Sequence, residues 1–265
     1  MQAVCLPAQK EEMMDSSERF SGKSDVYERF RPGYPAEWLD DLVREHGLSA
    51  GCAVADVGSG TGKLTRQLLE KGLSVYAVEP NDEMRAVAER TLGGYEGFRA
   101  RKGTAEATGL DGACADLVTA GQAFHWFDAA AFRKECRRVL RNEGRVALIW
   151  NSRVADDPVV LANARLCAEF CPEFKGFSGG MEEEGDSQFR RFFRDGVYEF
   201  REYANDLTFD LEGFLGRNLS ASYALREGDA GYAAYLEALV LLFESASRDG
   251  VLTIPHRTRS YWGGV

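Results

Sequence analysis

The 265-residue chain has no apolar run near the roughly 18 residues that a membrane-spanning helix needs. Its opening stretch, MQAVCLPAQKEEMMDSSERF, holds no apolar core, so no secretory signal is expected there. Histidine is scarce, with His46, His125 and His256 the only three. The six cysteines (Cys5, Cys52, Cys114, Cys136, Cys167 and Cys171) are scattered, and only the last two lie close together. Without a second cysteine pair or nearby histidines they read as small buried thiols, and no metal site is expected. Free thiols without an export signal point to the cytoplasm. Positive charge is also short: 32 Lys and Arg against 42 Asp and Glu leave a net charge of −10. That balance argues against a nucleic-acid binder relying on bulk phosphate attraction. Internal repeats and low-complexity tracts are absent. What is present is an ordinary globular mix, 45% hydrophobic and 28% charged, which excludes a disordered or disulfide-scaffold protein.

From about residue 50 the chain alternates between two periods. AVADVGSG (53–60) is a short apolar run ending in glycines, the pattern of a buried strand. KLTRQLLEK (63–71) then places Leu64 and Leu68 one helical turn apart, and Gly72 supplies a stop. LSVYAVEP (73–80) predicts a second strand, and NDEMRAVAERTLGG (81–94) a helix opened by Asn81 or Asp82. Further strands are expected in 95–103, 115–124 and 145–151, with an Asp128-capped helix before the last and a turn at 142–144. Strands alternating with helices imply right-handed crossovers and a parallel sheet covered on both faces. Beyond residue 151 the pattern loosens. Helices are expected at 158–170, 211–224 and 230–247, a loop at 176–188 and an antiparallel strand at 196–210. A last strand is expected at 251–265, with Pro255 placing it at an edge or breaking it. No linker separates a second domain, so residues 1–265 read as one.

The segment richest in chemistry is DVGSGTGK, residues 56–63. Glycines at 58, 60 and 62 between a buried strand and a helix let a ligand approach the backbone. A P-loop needs five residues' separation before Gly-Lys and a Ser or Thr after it; here the separation is four, from Gly58 to Gly62, and Leu64 follows Lys63. A dinucleotide fingerprint needs a third glycine where Lys63 stands, and Asp56 is badly placed for a doubly charged pyrophosphate. A cationic ligand suits the loop better. S-adenosylmethionine (SAM) carries a sulfonium, an ammonium and one carboxylate. Asp56 can attract the ammonium, the loop amides can bind the carboxylate, and Glu79, ending the second strand, can hold both ribose hydroxyls.

VADVGSGTGKLT followed by VYAVEPNDEMRAVAE resembles the class I SAM-dependent methyltransferases, specifically the small-molecule type 11 branch. YERFRPGYP (27–35), GTAEATGL (103–110) and DLVTAGQAFHWFD (116–128) extend the resemblance, which runs from about residue 25 to 151. It implies an α/β, Rossmann-like, doubly wound seven-stranded sheet, mostly parallel with an antiparallel last strand. The SAM-binding core would span about 38–151, capped by segments near 15–38, 152–195 and 211–230. It also implies transfer of the SAM methyl to a small molecule, on oxygen, nitrogen or carbon, releasing S-adenosylhomocysteine (SAH). No nucleic-acid or membrane partner and no metal are implied.

By the same resemblance Asp56, Gly58, Ser59, Gly60 and Gly62 form the methionine-side loop; Ser59 stands where many relatives have Cys. Glu79 binds ribose, Pro80 and Met84 flank adenine, and Thr104, Ala105 and Glu106 line its edge. Ala120 and Gln122 sit beside the methionyl chain. Tyr27, Arg31 and Tyr34 lie on a segment closing over the cofactor. Several assignments have structural alternatives. Met84 also fits a core position, and Arg31 an ion pair within its own segment. His125 can be a base, a donor to a carboxylate acceptor, or lid packing with Trp126. Ser220 and Tyr223 can touch substrate or cap and pack a helix. Two rival functions stay open: a non-catalytic SAM-binding sensor and an NAD-dependent oxidoreductase.

Overall fold

The computed structural model describes residues 33–177 and 181–265. Tyr27, Arg31 and most of the expected N-terminal cap segment lie outside the described residues.

Helix α1 (Ala36–Glu45) buries Trp38, Leu39 and Leu42. Strand β1 (Ala53–Val57) follows, buried at all five positions. Helix α2 (Lys63–Glu70), strand β2 (Ser74–Val78), helix α3 (Asp82–Leu92) and strand β3 (Phe98–Arg101) complete the first half. Strand β4 (Ala115–Gly121), helix α4 (Ala129–Val139) and strand β5 (Leu140–Arg153) begin the second. Helices α3 and α4 start where short polar side chains satisfy exposed amides: Asn81 accepts from the Met84 amide, and Asp128 from those of Ala130 and Ala131. β1 pairs in parallel with β2 on one side and β4 on the other.

The expected turn at 142–144 is a local irregularity within β5 rather than a break before it. Leu140 faces Ala115 and Arg145 faces Leu117, so residues 141–144 bulge against Asp116 alone.

The C-terminal half adds helix α5 (Pro158–Phe170), helix α6 (Met181–Phe192), strand β6 (Glu199–Ala204) and strand β7 (Leu207–Phe209). Helix α7 (Leu211–Leu219), helix α8 (Tyr232–Ala246), strand β8 (Leu252–Ile254) and strand β9 (His256–Gly263) end it. The main sheet runs β3-β2-β1-β4-β5-β9-β6, and β7 and β8 form a separate pair. β9 is antiparallel to both neighbours. The sheet is therefore seven-stranded and mostly parallel with an antiparallel last strand.

Two expectations change here, and one left open is decided. The stretch 176–188, read as a loop, contains the first turns of α6. The helix is anchored by Phe189 and Phe192, with Phe193 just after it, packed among Phe124, Phe132 and Trp150, and the polar window stopped one residue short of these anchors. Of the two alternatives for the last strand, the break is the one found: Pro255 splits 251–265 into β8 and β9, and β9 lies inside the sheet. The 196–210 stretch divides between two sheets as β6 and β7. α5, α7 and α8 share a third apolar cluster with the β7–β8 pair, around Phe214, Tyr235, Leu239 and Ile254. α6 instead packs into the core beneath β4 and β5. No helix among the described residues is long and apolar enough to cross a membrane.

Candidate active site

Chain order reverses between β1 and β4, and open α/β sheets bind ligands outside the carboxyl ends of the strands at such a point. The glycine loop leaves β1 there and is tied to the end of β2. The Gly58 and Ser59 amides donate to the Val78 carbonyl (2.9 and 3.1 Å), and the Gly60 amide to Glu79 Oε2 (2.9 Å). The Gly62 amide donates to the Ser59 carbonyl (2.9 Å). These four amides thus face acceptors within the chain, which revises the expectation that the loop amides at large would receive a ligand carboxylate. Ser59 Oγ is buried without a hydrogen-bond partner. Gly58 has φ +69°, and a Cβ on it would lie 2.6 Å from that of Ala123, so the loops after β1 and β4 touch only because this residue has no side chain.

Asp56 sits beneath the loop and is 1% exposed. Its Oδ2 accepts from Thr65 Oγ1 (2.6 Å) and its Oδ1 from Thr119 Oγ1 (3.0 Å). Burial pushes its pKa up to about 6; the two threonine bonds oppose this and the Glu79 charge adds to it. Glu79 is also buried, with Oε1 accepting from the Asn81 amide and Oε2 from that of Gly60, each at 2.9 Å. Its pKa is raised by burial, against those amides and the nearby Arg85. Two buried carboxylates therefore lie near the carboxyl ends of β1 and β2, and the charge of Glu79 disfavours ionisation of Asp56. Thr65 and Thr119 were not singled out from sequence, where threonines on a helix and a strand carry no distinguishing signal.

The other sequence-selected residues divide. Met84 is buried on α3 with its sulfur beside Gly60, where a built Cβ would meet it at 3.8 Å, and Pro80 is half-buried next to Glu79. Thr104 and Glu106 are exposed while Ala105 is buried. Glu106 Oε1 accepts from the Asp128 amide (3.0 Å), joining this loop to the start of α4. Ala120 belongs to the core cluster and has no exposed surface. Gln122 has φ +58°, unusual for a residue other than glycine, and such backbone concentrates at functional sites. Its amide donates to the Ile149 carbonyl (2.8 Å) and its Nε2 to the Asn151 carbonyl (3.1 Å).

Tyr34 is buried, with its ring 5.3 Å from Trp38 and its hydroxyl against Gly121 at the end of β4. Its backbone exchanges two hydrogen bonds with the Gln67 amide group (2.9 and 2.7 Å). His125 and Trp126 lie on a short 3-10 turn at 124–126, both exposed, with ring centroids 4.7 Å apart. Desolvation by the surrounding chain lowers the His125 pKa to about 4, while its exposed surface opposes so large a shift. The ring is mainly neutral at pH 7 on either count. Ser220 and Tyr223 do not join this group. Ser220 Oγ donates to the Arg217 carbonyl (3.0 Å) at the end of α7, and Tyr223 packs on Phe174 in the third cluster.

Glu135 on α4 is a further charged group behind the site. Its Oε1 accepts from the Thr108 amide (2.9 Å), from Thr108 Oγ1 (2.6 Å) and from Arg138 (2.7 Å), pinning the 103–110 loop. The Arg138 hydrogen bond, opposed by burial and helped by Thr108, lowers its pKa to about 2. A folded pKa below the unfolded one contributes stability above the ordinary carboxylate range and loses it as pH falls toward 2. Glu135→Gln is expected to lower unfolding free energy at pH 7 by about 1–2 kcal/mol. The gap from wild type should shrink between pH 5 and pH 2, as read by urea titration; a pH-independent gap would reject the ionic contribution.

The strand order, the antiparallel last strand and the crevice beside the glycine loop define a Rossmann-like methyltransferase fold. A candidate type II methyltransferase from Anaeromyxobacter dehalogenans superposes with a TM-score of 0.61 at 25% identity, covering 89% of this chain and 98% of that one. A methyltransferase structure from Anabaena variabilis gives 0.60 at 19% identity, over 84% and 96%, and shares the fold. Residues 55–148 match the family model described as a methyltransferase domain. An uncharacterized methyltransferase of Mycobacterium tuberculosis is 43% identical over 143 residues, 52% of this chain and 54% of the relative. One of Schizosaccharomyces pombe is 33% identical over 173 residues, 63% and 65%. The chain spans about half the length of the first of these curated relatives. Over residues 55–148 the chain is similar to the class I SAM-dependent methyltransferase domains of the type 11 branch.

Proposed function

We propose that the protein transfers the methyl group of SAM to a small-molecule acceptor, with the crevice between the carboxyl ends of β1 and β4 as its site. The observation that carries this reading is the pair of buried carboxylates, Asp56 and Glu79, beside a glycine loop at the reversal point of the sheet. Burial raises both, and Glu79 raises Asp56 further. A ligand with net positive charge relieves that arrangement, whereas a pyrophosphate worsens it. The buried, unpartnered Ser59 hydroxyl and the three glycines of the loop also fit a ligand lying close to the backbone.

When bound, SAM supplies an activated methyl group that an acceptor displaces in line. The chain's own part is positioning and exclusion of water. Glu79 would accept the ribose hydroxyls while keeping the Gly60 amide in place. Pro80 and Met84 would flank the adenine, with Thr104, Ala105 and Glu106 along its edge. Gln122 would lie beside the methionyl chain, and Ala120 would contribute backbone only. Asp56, seated on two threonines, would act on the ammonium as a negative field beneath the loop. Tyr34 would wall the crevice, and Tyr27 and Arg31 would cover it. Cys52, Cys114, Cys136, Cys167 and Cys171 are all free, which suits a cytoplasmic enzyme.

Calorimetric titration tests the cofactor: SAH is expected to bind and NAD and ATP not to, and tighter binding of NAD sinks the reading. SAH release with some member of a panel of carboxylates, phenols and amines tests catalysis. SAH binding without turnover on any of them would make the protein a SAM-binding sensor. His125, neutral at pH 7, suits proton removal from a hydroxyl acceptor better than charge pairing with a carboxylate. His125→Ala is then expected to lower kcat by about 10²-fold or more and to abolish the acid limb of the rate profile. Unchanged kcat and KM would assign His125 to packing with Trp126.

A further inference from the structure

We propose that Asn151, with Asn205 and Thr258, forms a clasp that positions both walls of the crevice, Gln122 on one side and the chain entering at Gly33 on the other. Its bearing on cofactor binding rests on the function proposed above. Neither asparagine belongs to the methyltransferase motifs; Asn151 is on β5 and Asn205 lies between β6 and β7.

The geometry converges on one side chain. Asn151 Nδ2 donates to the Gly33 carbonyl (3.0 Å). Asn151 Oδ1 accepts from Thr258 Oγ1 (2.6 Å) and from Asn205 Nδ2 (3.1 Å). Asn205 Nδ2 also lies within hydrogen-bond distance of the Gly33 carbonyl (3.2 Å) and of Thr258 Oγ1 (3.1 Å). Thr258 is fully buried on β9, directly opposite Asn151, so the oxygen it serves has a fixed place. The Asn205 amide is held in turn by the His256 carbonyl (3.0 Å).

The Asn151 backbone carbonyl holds a different partner. It accepts from the Gln122 side chain, while Gln122 keeps a left-handed backbone that a glutamine adopts only when its surroundings hold it there. Gly33 in turn precedes Tyr34, whose hydroxyl fills the space left by Gly121, the residue before Gln122. One asparagine therefore holds both Gln122, just past the end of β4, and the Gly33 carbonyl before Tyr34, whose hydroxyl lies against Gly121. An apolar side chain of similar size would fill the volume but leave the Gly33 carbonyl and the Thr258 hydroxyl without this partner. Asn151 is a positioning residue: it acts through Gln122 and Tyr34.

The test uses Asn151→Asp, which keeps the acceptor for Thr258 and Asn205 but cannot donate to Gly33, and Asn205→Ala, which removes the second donor. Amide hydrogen exchange measured by NMR without cofactor is expected to speed up at Tyr34 and Gln122 in Asn151→Asp, with amides of β1 and β2 unchanged. SAH affinity, by calorimetry, is expected to fall about ten-fold in the same variant, the scale of one missing hydrogen bond, with the urea midpoint near wild type. Asn205→Ala should shift both readouts in the same direction to a smaller extent, and it carries the test alone if Asn151→Asp does not fold. Exchange unchanged at Tyr34 and Gln122 overturns the clasp. Faster exchange there with wild-type SAH affinity overturns its coupling to the site. If the wild-type protein binds no SAH, the cofactor reading fails, and the exchange measurement alone decides the clasp.

Discussion

Gly58→Ala is expected to abolish measurable SAH binding, a loss of at least about 100-fold, and to destabilise the fold by about 2–4 kcal/mol. Two effects add. The residue has φ +69°, which an alanine adopts at a cost of about 1–2 kcal/mol. The added Cβ would also lie 2.6 Å from the Ala123 Cβ and 3.2 Å from the Phe127 ring. One of the loops after β1 and β4 must then retreat, and in the proposed site both line the crevice. Gly47→Ala separates the two effects, because Gly47 also has positive φ (+60°) but nothing lies within 4 Å of its built Cβ. That variant should show the backbone cost alone and keep wild-type SAH affinity. Equal losses of stability in the two variants, with SAH binding intact in both, would exclude the Gly58 loop from the site.

Glu79→Ala should weaken SAH binding by about 10- to 100-fold for each ribose hydroxyl that no longer finds its acceptor, since charge-assisted hydrogen bonds are worth about 1.5–3 kcal/mol. The structure adds a consequence that a strand-end acid alone does not suggest. Glu79 also accepts from the Gly60 and Asn81 amides, so the alanine variant leaves two backbone donors without their partner. A fall in unfolding free energy of about 1–3 kcal/mol should accompany the weaker binding. Glu79→Gln keeps acceptor oxygen for one amide and gives up the charge. It should recover part of the stability while binding SAH more weakly than wild type. If folded Glu79→Gln and Glu79→Ala both bind SAH as wild type does, Glu79 holds the loop and does not touch the cofactor.

The amino-acid sequence was most informative where one local signal sufficed. The loop 58–62 followed from glycines placed between an apolar run and an amphipathic helix, and Glu79 from its place at the end of the next apolar run. β1, β2 and β4 were legible because strands buried on both faces read as nearly continuous apolar runs. α6 was not, because its first turns are polar and its stability comes from Phe189 and Phe192 meeting Phe124, Phe132 and Trp150 of other elements. Ser220 and Tyr223 carried both a substrate reading and a packing reading; Ser220 bonds back to the Arg217 carbonyl at the end of α7, and only tertiary contacts put Tyr223 against Phe174 in the cluster around α7 and α8.

By itself, then, the sequence determined which segments form the parallel core and which acids flank the glycine loop, since these depend on periodicity and residue type within a few turns of chain. The tertiary structure alone decided what those acids already hold, where β9 enters the sheet, and that Asn151 meets Gly33 across 118 residues of sequence. Such contacts are fixed when distant elements pack, and a single amide or carboxylate leaves no periodic trace of the partner it will find.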